Sequence, residues 1–375
     1  MKRIAALITF IVLATFVPIN SAVSAVKSGA TCTKAGQSVV SANKKYTCVI
    51  VGKKLKWNSG VRVQSPKATP ILSQHEKVVT QVISDWKAWR SKSSTSFNPI
   101  KIIVEPGYES NWSTGPTQVA NLLIATLEGN GHTLLQEPIA LLGDNKDWIL
   151  NTGKTLSCGT VDLQQPLGIY CGHIQMGHGY FILNGNSADK FATGNKLSAS
   201  QSNTLKFSIA HDVATMYELQ AQYGSLKYDG TKNQIPAWIR EGFVQLFAAL
   251  AASESSNPKQ NYSEFMTSAG LLEQFPRALC TKTLQDFESK DRNWGGFCTY
   301  SQNFYGVELL VARHGGLEAP FNFVTLFGKT DDWLSSFKTA FGINREDFYA
   351  EWYDYLGIAK SDRPATKSAA PSIHS

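Results

Sequence analysis

Several patterns that would point directly to a function are absent from this chain of 375 residues. It has no G-x-S-x-G element typical of serine hydrolases, no complete P-loop pattern and no C-x-x-C spacing typical of zinc sites. It also has no long heptad run and only 29 glycines, which excludes coiled-coil and collagen-like chains. Apolar residues make up 43% and aromatic residues 11%, enough for a large buried core, which excludes wholesale disorder.

Acidic residues are absent between Val26 and Pro70. That stretch holds nine of the 36 Lys and Arg residues, and Lys2 and Arg3 precede it, which leaves 25 basic against all 29 acidic residues. The formal charge of +7 therefore describes a basic N-terminal segment and a mildly acidic remainder. The basic segment has two interpretations, attachment to an anionic cell-wall polymer or lipid surface, and a solvated basic spacer. It lacks an aromatic stacking platform, so we expect no nucleic-acid partner.

The longest apolar run, Ile4–Val17, follows a basic start and precedes small residues that end at Ala25. This order predicts a secretory signal peptide over residues 1–25. The alternative is an uncleaved anchor, although the run is shorter than the roughly 18–20 residues that a membrane span needs. We therefore expect a secreted or cell-envelope protein with no transmembrane segment in the mature chain.

The chain has six cysteines, and an even number in an exported protein predicts disulfides. Six cysteines allow fifteen connectivities. In sequence they nevertheless fall into three local pairs, each closing a short loop that stabilises the fold by roughly 3 kcal/mol. The pairs are Cys32 with Cys48, Cys158 with Cys171 and Cys280 with Cys298.

The first cysteine pair lies in a small basic module predicted over residues 26–65. Its residues alternate like a β-hairpin, with Tyr46 and Cys48 on the outgoing strand, a turn at Gly52 and a return strand at Trp57. A module of this size has little core, so the disulfide would be its main stabilising link. Residues 66–70 are predicted to be a linker, residues 71–358 the main domain, and residues 359–375 a disordered tail.

In the main domain the strand patterns come first and the helical patterns follow, which predicts an α+β fold with helices packed on a small sheet. The predicted strands are Ile100–Val104, Leu134–Leu142, Leu167–Cys171 and Tyr180–Leu183. The main predicted helices are Ile71–Arg90, Pro116–Leu127, Thr204–Tyr223, Pro236–Ser253, Phe304–His314, Trp333–Phe341 and Arg345–Leu356.

Two of these helices carry residues suited to chemistry. Residues 211–215 read His-Asp-Val-Ala-Thr, and residues 238–243 read Trp-Ile-Arg-Glu-Gly-Phe. With the patterns at 305–306 and 340–356, they make residues 71–358 similar to the peptidase-MA-like family of gluzincin metallopeptidases, which has a zincin-like fold. The N-terminal segment, with its Gly-Ala-Thr-Cys and Lys-Tyr-Thr-Cys patterns, resembles a short cysteine module of exported actinobacterial proteins.

The resemblance implies roles for particular residues. His211 stands at the first zinc-ligand position and Glu241 at the third. Asp212 stands where the family has its catalytic glutamate, and Tyr305 matches a tyrosine placed over the cleft. In the H-E-x-x-H motif two histidines on one helix face bind zinc, and the glutamate activates water. Here Thr215 replaces the second histidine, and Asp212 is one methylene shorter than glutamate.

Two ligands are fewer than the three or four that protein zinc sites use. Glu218 lies about 10 Å along the helix axis from His211, too far to share one ion comfortably. His173 and His178, in a glycine-rich loop, are further candidates. We expect no cofactor, or zinc if the site is functional. Tyr300 is a second candidate for the cleft, and a core position is the alternative for both tyrosines.

These observations favour an exported, catalytically inactive gluzincin-like protein whose cleft binds a peptide or cell-wall material without cleaving it. One alternative is an active zinc metallopeptidase with substituted ligands. A second is a non-enzymatic structural protein of the cell envelope, in which the resemblance of the two helices is due to chance.

Overall fold

The structure is a computed structural model that describes residues 26–41, 44–62, 70–108, 110–135, 137–143, 148, 151–152, 180–184, 198–224, 235–256, 258–273, 275, 283–288 and 297–367. It divides into two compact units, an N-terminal unit (Met1–Thr69) and a C-terminal unit (Pro70–Ser375). The predicted signal peptide, most of the predicted linker and the predicted strand Leu167–Cys171 lie outside the described residues. So do Cys158, Cys171, Cys280, His173, His178 and the side chain of Cys298.

The N-terminal unit is a small antiparallel sheet. Its strands are β1 (Ser38–Ser41), β2 (Lys44–Val51), β3 (Lys54–Trp57) and β4 (Val61–Arg62), and β2 pairs with each of the other three. The predicted hairpin is confirmed: β2 and β3 meet at a tight turn in which Gly52 has a φ of 63°, a conformation that glycine adopts without strain. The predicted Cys32–Cys48 disulfide is also confirmed, with a Cα–Cα distance of 5.9 Å.

The C-terminal unit begins with a long helix and a parallel sheet. Helix α1 (Pro70–Arg90) precedes β5 (Lys101–Val104), and α2 (Asn111–Gly129) connects β5 to β6 (Ile139–Gly143). Strand β7 (Tyr180–Asn184) pairs with the other edge of β6, so the strand order is β5-β6-β7. A helix between parallel neighbours is the connection that such strands require.

The rest of the described C-terminal unit is helical, so the chain is a mostly helical α+β protein, as predicted. Its helices surround one large apolar core. They are α3 (Ala199–Tyr223), α4 (Ala237–Glu254), α5 (Tyr262–Ser268), α6 (Phe297–Arg313), α7 (Glu318–Thr330), α8 (Trp333–Phe341) and α9 (Arg345–Tyr355), with 3-10 turns at Leu284–Phe287 and Lys360–Asp362.

Helix α4 lies inside this core and positions the candidate site. Trp238, near its start, is fully buried, stacks on Phe348 and donates a hydrogen bond of 3.1 Å from its indole N–H to the Tyr349 hydroxyl. One turn later Gly242 lets α6 approach closely, because a Cβ at this position would lie 2.2 Å from the Asn303 carbonyl oxygen. The glycine beside Glu241 therefore has a packing role.

Residues 359–367, which the sequence predicts to be part of a disordered tail, make specific contacts in the structure. The Lys367 backbone N–H donates to the Gln285 side chain at 2.7 Å, and the Lys367 carbonyl accepts from Arg345 at 3.0 Å. Arg363 forms an ion pair with Asp354. The prediction of disorder rested on the low apolar content of the segment. These contacts are hydrogen bonds and an ion pair, which apolar content does not indicate.

Candidate functional site

The candidate site lies where α3 packs against α4. Helix α3 begins at a capping box, in which Ser198 and Gln201 each bond the other's backbone N–H, and it ends at Gly224 with a φ of 67°. Helix α4 begins after Pro236. These signals set the ends of the helices. In the packed structure the middle of α3, at His211, lies beside the second turn of α4, at Glu241.

The structure brings His211 and Glu241 together, as the sequence predicts. His211 Nε2 lies 3.6 Å from Glu241 Oε2, and His211 Nδ1 lies 3.4 Å from Asp212 Oδ1. The side chains of His211 and Glu241 are 23% and 15% exposed, so solvent reaches both. Burial would lower the pKa of His211, but the two carboxylates outweigh it and raise the pKa to about 9. At neutral pH the imidazole is therefore a cation.

Arg240 is a member of the site that the sequence analysis missed. Its guanidinium donates to Glu241 Oε1 from Nη2 at 2.8 Å and from Nε at 3.3 Å. Burial would raise the pKa of Glu241, yet the charge of Arg240 and the contact with His211 lower it to about 2. Glu241 is thus a carboxylate held between two cations.

Position 215 holds a threonine where the H-E-x-x-H motif has its second histidine. The Thr215 hydroxyl donates to the backbone carbonyl of His211 at 3.0 Å, one turn earlier on the same helix. Threonine and serine commonly make this bond inside helices. The hydroxyl hydrogen is therefore already bonded within α3.

Glu218 lies two turns after His211 on α3 and is fully buried. Among the described residues neither of its carboxylate oxygens has a hydrogen-bond partner. Burial, partly offset by the charge of Arg240, raises its pKa to about 7. Along the helix axis Glu218 is predicted to lie too far from His211 to share a metal ion, and in the structure the charge of His211 acts on Glu218.

The two candidate tyrosines lie in different environments, although both are on α6. Tyr305 is a core residue whose hydroxyl donates to the Glu273 backbone carbonyl at 2.8 Å, and no hydrogen bond joins it to the His211–Glu241 pair. Tyr300 is 39% exposed and interacts electrostatically with Glu241 and Arg240. Of the two, Tyr300 is the one near the candidate site.

A second group of buried polar residues lies elsewhere in the C-terminal unit. The Tyr262 hydroxyl donates to Glu308 at 2.7 Å, and His75 Nδ1 lies 2.8 Å from the Tyr355 hydroxyl and 3.6 Å from Glu308. Burial raises the pKa of Glu308 to about 8 and lowers that of His75 to about 4. The carboxyl of Glu308 and the imidazole of His75 are thus uncharged near neutral pH. Together with Tyr262 and Tyr355 they connect α1, α5, α6 and α9.

Among the described residues the α3–α4 site offers zinc two candidate ligands, His211 and Glu241, fewer than the three or four that protein zinc sites use. Zinc binding at His211 would have to displace the proton that the surrounding carboxylates favour there. The guanidinium of Arg240 already bonds the carboxylate that would be the other ligand. Within the part of the chain that the structure describes, no group of three His, Cys, Asp or Glu side chains could hold a metal ion.

Comparison with family models, with curated proteins and with solved structures finds no match for this chain. None of the described helices combines the length and the apolar character needed to cross a membrane.

Proposed function

We propose that this chain is an exported, zincin-like protein of the gluzincin type that binds peptide at the α3–α4 site without hydrolysing it. The observation that carries the proposal is the 3.6 Å approach of His211 and Glu241 across two helices. Those are the two positions at which the motif resemblance puts zinc ligands. The same contact forms an ion pair, so a zinc ion would have to displace the proton of His211 and compete with it for the Glu241 carboxylate.

The charges of the site suit a peptide. Arg240 and His211 are cationic donors, while Asp212 and Glu241 supply acceptor oxygens, so the described site carries both signs in a partly open location. A peptide backbone offers the complementary amide donors and carbonyl acceptors. Tyr300 is exposed beside this group and provides an aromatic surface for an apolar side chain. Peptide-bearing cell-wall material is the corresponding ligand outside the cell.

Metal content and hydrolysis test the loss of catalysis. We expect the purified protein, dialysed against zinc and then against buffer, to hold less than stoichiometric zinc and to leave casein intact. We expect the variant Asp212→Glu with Thr215→His to gain zinc, because it restores an i, i+4 ligand pair on one helix face. Asp212→Glu with Thr215→Ala is the matched control, since it adds no ligand. Stoichiometric zinc and chelator-sensitive hydrolysis by the unaltered protein would instead establish an active metallopeptidase.

Binding of fluorescent casein peptides tests the proposed ligand. We expect measurable binding by the unaltered protein and at least tenfold weaker binding by Arg240→Gln, since a hydrogen bond to a charged group contributes about 1.5–3 kcal/mol. The charge-matched control is Arg313→Gln. Arg313 ends α6 and forms an ion pair with Glu351 of α9. If no peptide binds, the site has no ligand of this class, and a structural role in the cell envelope becomes the better interpretation.

A further inference from the structure

The N-terminal unit carries a surface that the α3–α4 site does not explain. Between residues 26 and 62 it has eight basic residues and no acidic residue. Four large apolar side chains of this unit are also strongly exposed, and they are Val40 (61%), Ile50 (69%), Val51 (54%) and Val61 (69%). Exposed apolar side chains grouped in so small a unit indicate a contact surface.

The register of the sheet shows which face these residues occupy. Successive residues of a strand point to opposite faces, and residues directly opposite each other on paired strands share a face. On one face of β2, Tyr46 and Cys48 are buried, and Cys48 forms the disulfide with Cys32. That face holds the core of the unit.

The opposite face, which we call the valine–lysine face, carries Lys45, Thr47, Val49 and Val51 of β2, whereas the exposed Ile50 lies on the same side as Tyr46 and Cys48. Lys45 is paired with Val40 of β1 and with Val61 of β4, so that a lysine lies between two exposed valines across three strands. Along the hairpin Val49 is paired with Lys56, and Val51 with Lys54. Valine and lysine thus alternate across the strands of this face. It consists of Ser38, Val40, Lys45, Thr47, Val49, Val51, Lys54, Lys56 and Val61.

We propose that the valine–lysine face docks this protein onto an anionic phospholipid bilayer. Lysine ammonium groups pair with lipid phosphates, and the valines between them enter the boundary between headgroups and acyl chains. A soluble anionic polymer would satisfy the lysines and leave the valines in water, so the alternation favours a bilayer over a polymer. This inference does not depend on the function proposed for the α3–α4 site.

Vesicle co-sedimentation tests the proposal. The chain from Val26 to Ser375 is used, so that the apolar run Ile4–Val17 cannot itself bind lipid. We expect it to bind vesicles of phosphatidylcholine mixed with phosphatidylglycerol and not vesicles of phosphatidylcholine alone. Each lysine near an anionic bilayer strengthens binding about fivefold, so Lys45→Gln, Lys54→Gln and Lys56→Gln together should weaken it on the order of a hundredfold.

A second triple variant separates a bilayer from a polymer. Val40→Ser, Val51→Ser and Val61→Ser keep every charge, and we expect vesicle binding to fall roughly tenfold or more, because the inserted apolar area is lost. The charge-matched control is Lys77→Gln, Lys87→Gln and Lys101→Gln, three exposed lysines of the C-terminal unit, which should leave binding unchanged.

Three results would overturn the bilayer proposal. They are failure to bind anionic vesicles, equal binding to both kinds of vesicle, and full binding by the valine variant. If the valine variant binds vesicles fully, and soluble polyphosphate displaces the unaltered protein and the valine variant from vesicles equally well, the lysines bind an anionic polymer instead. Hydrogen exchange of β2 amides in each variant confirms that the sheet is intact.

Discussion

At position 211 a histidine lies between the carboxylates of Asp212 and Glu241, at 3.4 and 3.6 Å. Its charge determines what the site can do, because a protonated imidazole donates hydrogen bonds from both nitrogens and binds a metal only after losing a proton. The interpretation of the site as a charged binding site therefore depends on one measurable property, the pKa of His211.

We expect His211 to titrate at about pH 9 in an NMR titration of the histidine ring protons. Glu241→Gln should lower that pKa by about 1–2 pH units, since an opposite charge at this distance has been removed. The internal control is His75, whose pKa burial holds at about 4 and whose imidazole lies beside Tyr355 and Glu308. A His211 that titrates at its ordinary pKa of 6.5 in both proteins would contradict the ion pair.

Glu218 makes a separate prediction, about stability. Its pKa is about 7 in the folded chain against an ordinary value of 4.5. Between these values the folded chain keeps a proton that the unfolded chain releases, so this contribution is complete below pH 4.5 and is lost as the pH rises through 7. The loss amounts to at most about 3 kcal/mol.

We therefore expect Glu218→Gln to change the pH dependence of the free energy of unfolding. Relative to the unaltered protein, the variant should be more stable at about pH 8 than at about pH 5 by about 2–3 kcal/mol, because glutamine carries no charge to bury. Urea unfolding at the two pH values measures this difference. Glu76→Gln, at an exposed position of α1, should show no such difference; a parallel shift by both variants would refute the assignment to Glu218.

The contact between His211 and Glu241 is predictable from the sequence, whereas other contacts of the candidate site are not. His211 and Glu241 were predicted because their residue types and helical positions match a motif. Arg240 is not predictable in this way, because the motif leaves its position open. Only the folded structure shows that its guanidinium bonds the carboxylate of the adjacent Glu241. His75 and Glu308 are 233 positions apart in sequence, so no local pattern could indicate their contact.

At the scale of elements, helix periodicity predicted most of the helices, and boundary signals explain the differences. Helix α3 begins at Ala199, earlier than the predicted Thr204, because Ser198 and Gln201 form a capping box. That signal is present in the sequence. The parallel pairing of β5, β6 and β7 was not predicted, since alternation within a strand does not say which strand lies beside it.

The packing of α4 against α6 gives a prediction at this scale. Gly242→Ala would place a methyl carbon 2.2 Å from the Asn303 carbonyl oxygen, which is backbone and cannot rotate away. We expect the two helices to separate and the free energy of unfolding to fall by about 2–4 kcal/mol in urea denaturation.

Gly306→Ala is the matched control, because it makes the same change in α6. There the new methyl carbon would lie 2.9 Å from Leu284 Cδ1, at the end of a flexible side chain. The loss should therefore be clearly smaller than at Gly242. Equal stability of the two variants would show that the close approach of α4 and α6 does not require glycine at position 242.

At the scale of the whole molecule, the two units are stabilised differently. The C-terminal unit has a large apolar core, to which α4 contributes on nearly all sides. In the N-terminal unit the buried apolar residues in the described segments are Cys32, Tyr46 and Cys48. A unit as small as this one has too little apolar core to remain folded without a cross-link. The disulfide between Cys32 and Cys48 supplies that cross-link.

The double variant Cys32→Ser with Cys48→Ser should unfold the N-terminal unit and leave the C-terminal unit folded. The disulfide closes a sequence separation of 16 residues, and a loop of that length contributes about 3 kcal/mol, comparable with the whole stability of so small a sheet. Hydrogen exchange followed by mass spectrometry should show β2 amides exchanging freely while α4 amides stay protected. Val40→Ser, on the exposed face of the same sheet, should leave both protected. Loss of protection in α4 would mean that the two units fold as one, and persistent protection in β2 would mean that the strand pairing suffices without the disulfide.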